Sequence, residues 1–166
     1  MTPKAMLLAA VLGSGLFVLT GQQPTPPSVF TLAQAEAGRA AYENTCGKCH
    51  TSTLLGRKGD PGELPPVSSL SASYREFIGP RGFVAPLTGK TFIDHWGAKT
   101  AAQLIARFQE TVVSFPPEGM NDETTVNITA YVLQVNGAKA GNRPLTRATD
   151  AIVSSITGDG HAASGR

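Results

Sequence analysis

Cys46-Gly47-Lys48-Cys49-His50 places two thiols and an imidazole within five consecutive residues. On one helical turn, side chains three apart share a face. Each sulfur then reaches one vinyl group of a porphyrin and forms a thioether with it. The histidine directly after the second cysteine lies beneath the ring centre, where an imidazole nitrogen binds iron. This C-x-x-C-H spacing is the attachment signature of c-type haem. Both cysteines of the chain are consumed, so no disulfide is expected.

Other chemistries fit less well. A structural zinc site needs four ligands. Cys46, Cys49 and His50 supply three, and neither His95 nor His161 completes a known pattern. A redox C-x-x-C pair belongs in a βαβ setting, whereas the flanks here read as helical. Gly56 to Gly62 (GRKGDPG) lacks the Walker pattern. Asn127-Ile128-Thr129 fits a glycosylation sequon but falls inside an expected helix and is read as chance. Lys48, Arg57, Lys58, Arg75, Arg81 and Lys90 are read first as solvated charges. Steering of an acidic partner is the alternative.

The elements that must position the motif follow from the rest of the chain. Its 166 residues suit one domain, and a net charge of +2 argues against a polyanion-binding surface. Two cysteines exclude a cysteine-rich scaffold. Lys4 precedes the uncharged run Ala5 to Thr20, sixteen residues long. That is short of the about 20 needed to span a bilayer. Residues 1–21 therefore read as a signal peptide, cleaved near Gly21, with an uncleaved N-terminal anchor as the alternative. Either way the expected location is the periplasm. Residues 22–32 read as a proline-rich linker, 33–138 as the folded domain and 139–166 as a mobile tail rich in Gly, Ala, Ser and Thr.

Within the domain, a helix is expected from Thr31 to His50, with Gly38, Ala41, Tyr42 and Thr45 on one face. Residues 51–90 hold Pro61, Pro65, Pro66, Pro80 and Pro86 and read as loop, with a short helix near 71–77. Thr100 and Gln103 form a capping box. Ala101, Leu104, Ile105, Phe108 and Val112 make the apolar stripe of the helix that follows. Phe115-Pro116-Pro117 ends it. The last helix starts at Asn121 or Asp122, carries Ile128, Tyr131, Val132 and Val135, and stops at Gly137.

From about Glu36 to Gly137 the chain resembles a class I type cytochrome c, in particular the bacterial ones that accompany periplasmic quinoprotein dehydrogenases. The similarity is carried, in order, by AEAGRAAYENTCGKCH, VAPLTGKTFIDHWGAKT, the middle helix, FPPEGMNDE and a last helix with Ala130-Tyr131. The resemblance implies an all-α cytochrome c fold, three to five helices around one covalently attached haem c, with a long loop after the haem motif. It implies first and last helices crossing near perpendicular, with Gly38 permitting close approach and Tyr42 and Tyr131 packed at the crossing. It also implies that a proline carbonyl accepts the proton of His50 Nδ1, Pro86 first and Pro66 second. Leu87 would lie on the haem face. Trp96 would either hydrogen-bond a propionate or pack as an aromatic. The implied function is one-electron transfer between periplasmic redox proteins, a dehydrogenase donor and an oxidase or cytochrome acceptor. A haem enzyme or small-ligand sensor with an open sixth iron position is the alternative.

The sixth ligand departs from the family pattern. Relatives carry methionine immediately before the proline pair, where this chain has Phe115. Met120 is the one methionine outside the N-terminal segment, the others being Met1 and Met6. Three readings stay open. Met120 ligates from an altered loop; or Met120 is an apolar plug and the sixth position is open or holds water; or His95 or His161 ligates.

Overall fold

The structure, a computed structural model, describes residues 26–57, 65–78, 82–114 and 120–157, the side chains of 112–114 excepted. The expected signal peptide or anchor, the start of the linker, Lys58, Pro61, Pro80, Arg81, Phe115, the proline pair and His161 lie outside the described residues.

The fold is mostly helical, and among the described residues there are isolated β-bridges but no strand. Seven α-helices are present there: α1 (Leu32–Asn44), α2 (Gly47–His50), α3 (Ala72–Ile78), α4 (Gly89–Trp96), α5 (Ala101–Ser114), α6 (Asp122–Val135) and α7 (Val153–Thr157), with a short 3₁₀ turn at Val67–Ser69. The expectation of three to five helices is thus too low. The segments beyond those expected, α2 as a turn of its own, α4 and α7, are short, and short segments show little periodicity in sequence. Among the described residues no helix is long and apolar enough to cross a membrane.

The caps explain where the long helices begin. Thr31 Oγ1 accepts from the Gln34 amide at 3.2 Å while Gln34 Oε1 accepts from the Thr31 amide at 3.2 Å, a reciprocal capping box. Thr100 and Gln103 form a second one, at 3.1 and 2.9 Å. Asn121 Oδ1 caps α6 through the Thr124 amide at 2.8 Å. The single helix expected over 31–50 is broken at Thr45. There the Thr45 hydroxyl donates to the Ala41 carbonyl at 2.7 Å, next to an Asn44 side chain that donates to Ala40. Such local bonds compete with helix continuation, and the C-x-x-C-H motif starts a separate turn.

Helices α1 and α6 pack against each other at Gly38. A Cβ there would lie 1.8 Å from the Asn127 carbonyl oxygen, so only glycine fits. One turn on, the Tyr42 and Tyr131 rings meet with centroids 5.4 Å apart and planes tilted by 55°. Leu104 and Ile105 of α5 and Ile128, Val132 and Leu133 of α6 complete the buried centre.

Both ends of the described chain join this core, which corrects two expectations. Val29 and Phe30, placed in the linker, are buried, and the Gly141 amide donates to the Phe30 carbonyl at 2.8 Å. Residues 139–157, read as part of a mobile tail, are folded back. Leu145 exchanges two hydrogen bonds with the Gln34 side chain, at 2.8 and 3.0 Å. Ile152 bridges to Thr100, and the Val153 amide donates to the Lys99 carbonyl at 2.9 Å. Leu145, Val153 and Ile156 are all buried. A few apolar anchors spaced along a polar segment suffice to hold it. Ile156→Ala should therefore lower unfolding stability by about 2–5 kcal/mol, read as a shifted urea midpoint. An unchanged midpoint would return 139–157 to a mobile tail.

Candidate functional site

Cys46, Cys49 and His50 sit on α2 and the residue before it, all half-buried. The turn is closed by the His50 amide donating to the Cys46 carbonyl at 2.8 Å. Gly47 fits beneath Tyr42, whose carbonyl oxygen would lie 3.0 Å from a Cβ added there. Immediately after the motif, Thr51 adopts φ 65°, ψ 163°, a region occupied almost only by glycine. Such strain costs about 1–3 kcal/mol and clusters at functional sites. The buried Tyr42 hydroxyl, donating to the Thr51 carbonyl at 2.7 Å, helps hold it. The chain then doubles back, and the Gly56 amide donates to the His50 carbonyl at 3.1 Å.

His50 Nδ1 is 2.8 Å from the carbonyl oxygen of Ala85. A carbonyl can only accept, so Nδ1 carries the proton and Nε2 keeps its lone pair free. The acceptor is thus neither Pro86 nor Pro66, the two prolines expected to play this part. The physical reason lies one residue earlier than proposed: a proline holds the residue before it extended, and Pro86 so fixes Ala85. The segment is braced on both sides. Arg57 and Val84 exchange amide–carbonyl bonds at 3.1 and 3.0 Å, and the Leu87 amide donates to the Leu54 carbonyl at 2.7 Å. Gly56, at φ 78°, lies so close that a Cβ would sit 2.1 Å from the Val84 oxygen. From α6, Asn136 Nδ2 donates to the Leu87 carbonyl at 2.9 Å and its Oδ1 accepts from the Gly89 amide at 3.1 Å. Neither Ala85 nor Asn136 was a sequence candidate. An alanine carbonyl leaves no trace in a side-chain pattern, and Asn136 reads merely as a helix end.

Burial pushes the His50 imidazole below its ordinary pKa, with the Ala85 carbonyl partly opposing. Neutral imidazole is the form that binds metal. Burial also raises the Cys46 thiol, partly offset by the Thr45 hydroxyl. It raises Cys49 too, against the opposing charge of Arg57. Neutral thiols do not suit thiol–disulfide exchange, which runs through thiolate.

The remaining candidates are more scattered. Leu87 is buried in the core cluster. Trp96, at the end of α4, packs partly on the core, with Lys99 Nζ 4.3 Å above its ring and His95 edge-on at 5.1 Å. His95 itself is exposed, and its Nε2 lies 3.3 Å from Lys99 Nζ. Met120 is half-buried against the core cluster, just before the cap of α6. Among the described residues no three His, Cys, Asp or Glu side chains converge as a metal cluster.

Comparison with protein-family models, with curated proteins and with solved structures returns no match.

The lowered pKa of His50 has a consequence for folding stability. The folded state disfavours the imidazolium, so the unfolded chain takes up the proton at higher pH. Stability should be complete above the ordinary imidazole range and fall as pH drops below about 6.5. Urea titrations at several pH values check this. His50→Gln should flatten the dependence over the same range, and an identical slope would remove His50 as its source.

Proposed function

We propose that this chain is a class I type c-type cytochrome that carries single electrons between periplasmic redox proteins. Cys46 and Cys49 would hold its haem c covalently, and His50 would bind the iron. The observation that carries the reading is the His50 Nδ1 to Ala85 contact of 2.8 Å on the turn that also bears both thiols. The donor set fits the group. A porphyrin brings four ring nitrogens of its own, so one oriented neutral imidazole and two neutral thiols are what the chain must provide.

When bound, the haem supplies the one-electron Fe(III)/Fe(II) couple. The protein's part is to hold and shield it. Ala85 fixes the tautomer and ring angle of His50, as partners of metal-bound histidines do. Cys46 and Cys49, on one turn, set the edge by which the ring is gripped. Leu54 and Leu87, both buried beside that turn and paired through their backbones, furnish apolar surface. Gly38, Tyr42 and Tyr131 lock α1, which leads into the motif, onto α6.

The sixth position separates three readings. Met120 is our candidate ligand, as the methionine nearest the usual position. Its packing against the core favours a second reading, in which it is a plug and the iron keeps an open site for a small ligand or peroxidase-like chemistry. His95, exposed and paired with Lys99, makes a weaker third.

Expression with export and cytochrome maturation machinery tests the assignment. After acid–acetone extraction, the haem colour should stay with the wild-type polypeptide and leave the Cys46→Ala, Cys49→Ala double variant. A colourless wild-type chain would overturn the proposal. In the loaded protein, Met120→Ala should convert a low-spin spectrum to a high-spin one that binds carbon monoxide. An unchanged spectrum would assign Met120 as a plug.

A further inference from the structure

Arg57 lies eight residues past Cys49, in the sharp return after the motif, and its guanidinium turns back onto the haem-type turn. Its Nε donates to the Cys49 carbonyl at 3.0 Å and its Nη2 to the Lys48 carbonyl at 3.1 Å. The last carbonyls of a helix have no partner within it, and a cation there complements the helix dipole. In a four-residue helix such as α2 these carbonyls form much of the element. The third arm, Nη1, donates to Ser69 Oγ at 2.9 Å, and Ser69 donates in turn to the Pro66 carbonyl at 2.7 Å. The fork is therefore braced from the far side, where the 3₁₀ turn begins.

The backbone of the same residue does a second job. Its amide and carbonyl pair with Val84, next to the Ala85 whose oxygen faces His50. One residue thus ties the turn that bears both thiols and His50 to the segment that orients the His50 ring. The planar guanidinium matches two adjacent carbonyls and a hydroxyl at once; a lysine ammonium, a single point on a flexible stem, does not.

We propose that Arg57 is a positioning residue of the C-x-x-C-H turn, setting the His50 ring geometry and placing a fixed positive charge beside Cys49. The inference rests on the cytochrome reading above. A cation next to the redox centre favours the less positive Fe(II) state and raises the reduction potential. The fork and the charge are separable, because lysine keeps the second and loses the first.

The test uses the exported, haem-loaded protein with Arg57→Lys, Arg57→Gln and Ser69→Ala. The readouts are the midpoint potential and the hyperfine-shifted His50 ring resonances of the oxidised form. Arg57→Gln should lower the midpoint and displace those resonances. Arg57→Lys should displace the resonances with a midpoint closer to wild type. Ser69→Ala should shift them the same way by less. Loss of fold alone moves neither readout in the surviving loaded protein. If Arg57→Gln does not accumulate, the lysine and Ser69 variants carry the test. Loaded Arg57 variants matching wild type in potential and resonances overturn the inference alone. A wild-type chain without covalent haem overturns the cytochrome reading and this inference with it.

Discussion

An imidazole that is to bind metal must be neutral, held at one angle, and protonated on the nitrogen that faces away from the metal. In this chain those three conditions meet in the contact between His50 Nδ1 and the Ala85 carbonyl, formed across 35 residues. Burial lowers the pKa of the ring and so favours its neutral form. The proton is committed to a carbonyl, which leaves Nε2 free. Everything around the site serves to hold two stretches of chain at this one distance. The motif must turn sharply at Thr51, and the 84–87 segment must lie extended beside it.

The cost of that turn is visible in the backbone. Thr51 occupies a conformation that side chains rarely accept, and Leu54 follows at φ 62°. Compensation comes from the packing of Tyr42. Tyr42 is fully buried, meets the tilted Tyr131 ring and donates to Thr51. Its own position depends on the contact at Gly38, where α1 and α6 approach too closely for any side chain. A substitution several residues from the motif thus reaches the site through helix packing.

The outer segments tighten the same arrangement. The 28–30 stretch and the 140–141 stretch pair beside the start of α1. The 149–154 stretch binds the end of α4 and the start of α5. Asn136, at the close of α6, ties that helix to Leu87 and Gly89. These contacts are mostly backbone and made by residues of no distinctive chemistry, so the core extends well beyond the helices that periodicity reveals.

From the sequence alone come the C-x-x-C-H motif, the capping box at Thr100, the start and face of α6, and the shared face of Gly38 and Tyr42 on α1, whereas the packing of Tyr131 against Tyr42 was implied by the family resemblance. The local features are legible because they depend on spacing: three positions from one sulfur to the next, three from a cap to its partner, four from a glycine to the aromatic above it. The carbonyl that orients His50, the brace from Asn136, the fork of Arg57 and the folding back of 139–157 were decided by tertiary structure. They join positions tens of residues apart, often through backbone atoms that every residue shares. Pro86 shows the boundary: its presence in the extended segment could be read, but which neighbouring oxygen faces the imidazole depends on how the chain packs around it.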